Sequence, residues 1–187
     1  MTTRDWKIID YVSEYKAVST SMIACMFFDN RKPYAYKRLQ KLVEWGHLKC
    51  ARISEGSINS ENVYFTGSKP PAQLRHTLAK TWFIIMFGKR YRICKVENEL
   101  KLNGLRPDLV ITYIDNNGNE QVACVEIELS NNGFNFLKYE NYYASNVWRN
   151  EFRNFPQVFL IGKGNLPNGR TRINYLKFKF DETMKVL

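Results

Sequence analysis

Three carboxylates stand close together in the stretch RPDLVITYIDNNGNEQVACVEIELS, residues 106–130: Asp108 before one apolar run, Glu126 and Glu128 at the end of the next. Between the runs lies Asn117-Gly118, the dipeptide that best tolerates the positive φ angles of a tight hairpin turn. Strands over 107–114 and 121–129 follow. Folded about that turn, the hairpin brings all three acids to one end. Acids grouped in this way can hold Mg²⁺ or Mn²⁺, hard cations that take oxygen ligands, stabilise charge on a phosphate and activate water.

Register decides whether the acids share a face, because cross-strand partners point to the same side of a sheet. With a two-residue turn, paired positions sum to 235, and Asp108 faces with Ile127. A bulge, or a loop longer by one residue, would bring Asp108 onto the face of the glutamates. The next basic residue along the chain is Lys138, in FLKYENYY.

The surrounding elements follow from apolar spacing and breakers. GSKPPAQ, residues 67–73, is a linker signal. After it, AQLRHTLAKTWFIIMFGK reads as a helix stopping at Gly88, and YRICKVE as a strand. Beyond the hairpin, residues 131–155 read as one long helix whose aromatic residues form core, QVFLIGKG (157–164) as a buried strand, and RINYLKFKF (172–180) as a half-buried edge strand.

The first seventy residues carry a different signal. Trp6, Ile9, Tyr11 or Val12, and Tyr15 have helical spacing over 4–15, and Ser19 or Thr20 can cap a second helix over 20–28. A third helix begins near Pro33 and ends at Gly46, with Ala35, Leu39, Leu42 and Val43 inward. Its outward face carries Tyr34, Lys37, Arg38 and Lys41, with Arg31 and Lys32 at its start. Two strand-like runs follow, 48–53 and 62–67. Arg52 lies on the first, and Glu55 and Glu61 lie in or beside the loop between them.

Charge is unevenly distributed. The 187-residue chain has a net charge of +10, which favours a polyanionic partner through counterion release. Residues 31–52 hold seven Lys or Arg against one acid, whereas residues 102–148 hold two against six acids. No apolar run approaches a membrane span, and the N-terminus lacks the pattern of a secretory signal, so the expected location is cytoplasmic. Cys25, Cys50, Cys94 and Cys124 are scattered without metal-ligand spacing and read as buried, reduced thiols. His47 and His76 have no carboxylate or Cys at ligand spacing and read as neither catalytic bases nor metal ligands.

Two resemblances emerge from these motifs. Three helices followed by a hairpin, with RLQKLVEWGHLKC as the end of the recognition helix and the first wing strand, resemble a winged helix-turn-helix over residues 1–68. Asp108 with Glu126-Ile127-Glu128, followed by helix and strand, resembles the PD-(D/E)XK nuclease superfamily over 74–187, after a linker at 69–73. Glu128 stands where active members have lysine, and Lys138 is the candidate replacement. The expected fold is therefore a two-domain α+β or α/β protein, whose second domain is a mixed sheet flanked by helices.

The two domains together resemble the replication-relaxation family of plasmids and conjugative elements. That resemblance implies a DNA-binding accessory factor in plasmid replication or conjugative-transfer initiation. Its expected partners are double-stranded DNA and a relaxase or replication protein, with a homodimer as a further possibility. Arg31, Lys32, Tyr34, Lys37, Arg38, Lys41 and Arg52 would contact DNA. Asp108, Glu126 and Glu128 would be metal ligands, and with Lys138 the catalytic group, if the second domain cuts. The alternatives are an active Mg²⁺- or Mn²⁺-dependent endonuclease, and a repressor or phage-encoded inhibitor.

Overall fold

The computed structural model describes residues 1–52, 61–130, 133–162, 165–166 and 172–178. The protein is a mixed α+β chain that divides into two compact units, Met1–Ile85 and Met86–Leu187.

The first unit opens with α1 (Thr3–Tyr15), β1 (Val18–Ser19), α2 (Thr20–Phe27) and α3 (Lys32–Glu44), then β2 (Lys49–Arg52) and β3 (Asn62–Phe65). The strands form an antiparallel sheet in the order β1-β3-β2. Ser19 caps α2 by accepting from the Met22 N–H at 3.3 Å, satisfying one of the free donors of the first turn. Pro33 sits in the first turn of α3, and Gly46 follows that helix with φ +77°, the left-handed geometry a helix stop favours. Ile53 and Glu55 lie outside the described residues.

The inward face of α1 differs from the expected one. Val12 is buried, in line with one of the two positions expected at that turn, but Asp5 and Ile8 are the residues buried with it, and Trp6 is 52% exposed. The buried stripe is displaced because Asp5 turns inward to an ion pair with Arg38 of α3, and a carboxylate satisfied in that way can occupy a core position.

In the second unit, β4 (Arg92–Asn98), β5 (Leu109–Ile114), β6 (Glu120–Glu128), β7 (Gln157–Gly162) and β8 (Tyr175–Phe178) form one sheet in chain order. Pairing is antiparallel from β4 to β6 and parallel from β6 to β8. The helix α4 (Leu74–Arg90) runs across the boundary between the units, with Met86–Arg90 leading into this sheet, and α5 (Leu137–Ser145) connects β6 to β7. On one face, Val110, Cys124, Val158 and Leu160 pack with Tyr139, Tyr142 and Trp148. On the other, Phe87 meets Tyr113 and Phe159 edge to face.

Gly88 does not end α4, which runs on to Arg90. The expected helix over 131–155 is also shorter. It stops at Ser145, because Asn146 adopts a left-handed conformation with φ 58°, and a 3-10 turn over Val147–Asn150 follows. Ser145 marks the break by donating to the Tyr142 carbonyl and accepting from the Val147 N–H. All four cysteines are free thiols, but only Cys124 is buried; Cys25 is half-buried, and Cys50 and Cys94 are exposed. No helix among the described residues is long and apolar enough to cross a membrane.

Candidate functional site

The hairpin at the centre of the second sheet is built on a longer turn than two residues. Ile114 pairs with Glu120 and Leu109 with Val125, so paired positions sum to 234. Asp115 and Asn119 close the loop, the Asp115 N–H donating to the Asn119 carbonyl at 2.9 Å and the Gly118 N–H to the Asp115 carbonyl at 3.0 Å. Gly118 has φ +82°, which gives the three-residue loop whose left-handed glycine forms a bulge.

The extra residue shifts Asp108 by one position. Continuing the observed pairing sets it opposite Glu126, on the face that also carries Cys124 and packs against α5. Asp108 ends the ladder with its side chain, the Ile127 N–H donating to Oδ2 at 2.8 Å. Its charge also acts on Glu126 and Tyr139, raising the pKa of both.

Glu126 is the centre of the group. Lys138 Nζ lies 2.8 Å from Oε2, and the Tyr139 hydroxyl donates to Oε1 at 2.6 Å. Both partners come from the first turn of α5, whose helical geometry sends adjacent residues to one carboxylate from different directions. Burial pushes the Glu126 carboxyl above its ordinary value, against the pull of Lys138 and Tyr139. Burial likewise raises the Tyr139 hydroxyl and the Cys124 thiol nearby.

Glu128 follows Glu126 by two residues and so has the same strand parity, but it does not join the group. Its carboxylate accepts from the Ser130 N–H at 2.7 Å and from the Ser130 hydroxyl. Among the described residues, no group of three or more His, Cys, Asp or Glu is placed to hold a metal ion. Mg²⁺ demands about six oxygen ligands in near-octahedral geometry. At this site it would have to displace the Lys138 ammonium and the Tyr139 hydroxyl from Glu126. As arranged, the residues do not fit such an ion.

The first unit presents the second candidate surface. Ala35, Leu39 and Leu42 bury one side of α3, leaving Lys32, Tyr34, Tyr36, Lys37 and Lys41 exposed. Arg31 also lies exposed at the start, paired with Asp29 at 3.1 Å and set over the Tyr34 ring. Arg38 does not face outward with them. Its guanidinium binds both Asp5 oxygens and stacks over Trp45. The hydrogen-bonded Arg38 holds the Asp5 carboxyl well below the usual range.

Arg52 is exposed on β2. Glu61, expected beside the tip between β2 and β3, instead accepts from the Ser21 N–H at 2.6 Å and from the Ser21 hydroxyl. It thus supplies an acceptor at the N-terminus of α2, where the backbone donors and dipole favour an anion.

Sequence reasoning missed Tyr139 as a partner of Glu126, having assigned it to core on helical spacing alone. Its adjacency to Lys138 was the only local signal. Comparison of the chain with protein-family models, curated proteins and solved structures gives no match.

Proposed function

We propose that the protein binds double-stranded DNA through α3, as an accessory factor of a mobile genetic element acting in plasmid replication or conjugative-transfer initiation. In this reading the first unit is a winged helix-turn-helix and the second a PD-(D/E)XK-like domain that has lost cleavage. The observation that carries it is the face of α3: Lys32, Lys37 and Lys41 are exposed with Tyr34 and Tyr36, opposite a buried apolar stripe. Such a helix can enter a major groove while its cations meet phosphates. The order α1-β1-α2-α3-β2-β3 agrees with a winged helix. A relaxase or replication protein remains the proposed protein partner.

The engagement of Glu126 by Lys138 and Tyr139, and of Glu128 by Ser130, favours a domain that holds DNA or protein over one that cuts. Electrophoretic shift of duplex DNA at moderate salt tests the main reading. Binding should weaken in the Lys37→Ala/Lys41→Ala variant, and unchanged binding would remove α3 as the contact.

One observation favours a second reading, an active Mg²⁺- or Mn²⁺-dependent endonuclease. Asp108 and Glu126 share one face with Lys138 beside them, and this reading requires the Lys138 ammonium and the Tyr139 hydroxyl to give up Glu126 to an entering ion. Nicking of supercoiled plasmid that is abolished by Glu126→Ala would establish it. Intact plasmid across a divalent-metal series would exclude it.

A further inference from the structure

The join between α4 and β4 carries the sequence Lys89-Arg90-Tyr91-Arg92, in which all three cations are exposed. None of them has an ion-pair partner among the described residues, whereas Arg31, Arg38, Lys95, Arg106 and Lys138 are all paired. The carboxylate nearest along the sheet is committed elsewhere. Arg92 pairs with Ile114, and the next residue, Asp115, accepts from the Asn117 and Asn119 N–H groups and from the Gln121 side chain.

Tyr91 gives this corner a fixed base. Its ring packs against Phe87 and Tyr113 at centroid distances of 4.8 and 5.2 Å, and the Arg90 guanidinium sits over it at 5.4 Å. Favourable interaction with the helix dipole explains cations in the last turn of α4. It does not explain Arg92, which begins the next strand. That strand is the open edge of the sheet, so nothing in the sheet covers the corner on its outer side.

We propose that Lys89, Arg90 and Arg92 form a second nucleic-acid contact, gripping the phosphate backbone of duplex DNA without reading its sequence. The proposal rests on the DNA-binding reading above. The corner lies at the opposite end of β5 from Asp108, six residues away along the strand, or about 20 Å at the rise of a β-strand. A backbone held there is therefore remote from the Glu126 group, which accords with holding and not cutting. Counterion release makes such a contact visible as salt dependence, each lost phosphate contact reducing the slope of log K against log salt by about one.

The test is fluorescence anisotropy of the full chain with a fluorescein-labelled duplex of random sequence, titrated at several salt concentrations. The Lys89→Gln/Arg90→Gln/Arg92→Gln variant should bind several-fold more weakly, with a slope smaller by about two to three. Arg92→Gln alone should lose about one, so an unfolded triple variant would still leave a readout. Arg90→Lys/Arg92→Lys should retain the wild-type slope. Wild-type slope and affinity in the folded Gln variants would overturn the proposal, and weakening by Lys37→Ala/Lys41→Ala in the same assay would leave the α3 reading standing. If wild-type protein does not bind the duplex, both readings fall.

Discussion

Lys138 on α5 and Glu126 on β6 form an ion pair of 2.8 Å in which the carboxylate is only 12% exposed and the ammonium 31%. Removing the cation should leave a largely buried charge with Tyr139 as its remaining side-chain partner. We expect Lys138→Met to cost about 1–3 kcal/mol at neutral pH, less than for a fully buried pair because water still reaches Lys138. Glu126 already titrates above its free value of 4.5, and losing Lys138 raises it further. The folded variant then binds a proton more tightly than the unfolded chain. Its deficit should shrink as pH falls through the folded pKa towards 4.5, a trend that urea denaturation at a series of pH values would measure.

Asp5 has the opposite linkage. Arg38 holds its folded pKa well below the unfolded value of 3.8, so the stabilisation is complete above that value and declines as pH falls below it. Asp5→Asn should cost about 2–3 kcal/mol at neutral pH by breaking a charge-assisted pair. Acid unfolding followed by circular dichroism should be less steep in the variant. Equal steepness would mean that the pair does not contribute to acid stability.

The same two residues mark where the sequence was legible and where it was not. Most of the helices and strands follow local signals, among them Ser19 as a cap, Pro33 in a first turn, Gly46 at a stop and the apolar run of β6, whereas the two-residue strand β1 carries none. The direction of Arg38 does not, because helical spacing gives its angular position but not the buried carboxylate on α1 that draws it inward. Likewise, Asn117-Gly118 located the hairpin but not its loop length. The hydrogen bonds of Asp115 select three loop residues, and that one extra residue places Asp108 opposite Glu126 and not Ile127. Lys138 was identifiable as the nearest cation, whereas its contact with Glu126 depends on how α5 packs on the sheet.

Gly162 should tolerate no side chain. It ends β7 beside Glu128 with φ +119°, and an added Cβ would lie 2.0 Å from the Glu128 carbonyl oxygen. Both backbone strain and a collision with main chain oppose alanine, each costing on the order of 1–3 kcal/mol. Gly162→Ala should therefore lower the thermal midpoint clearly or prevent the second unit from folding. A variant as stable as wild type would contradict the close β6-β7 approach.

Three basic residues of α3 should separate by what they do. Lys37 and Lys41 are exposed, and alanine at either should leave stability within about 0.5 kcal/mol of wild type. If α3 contacts DNA as proposed, each substitution should reduce the salt slope in DNA titrations by about one. Arg38 is engaged by Asp5 and Trp45, so Arg38→Ala should instead appear as lost stability, with Asp5 left buried without its cation and held by the Thr2 N–H. Its remaining folded fraction should keep a salt slope close to wild type, measurable below the unfolding transition. A slope reduced by Arg38→Ala as much as by Lys37→Ala would mean that the guanidinium leaves Asp5 to meet phosphate when DNA binds.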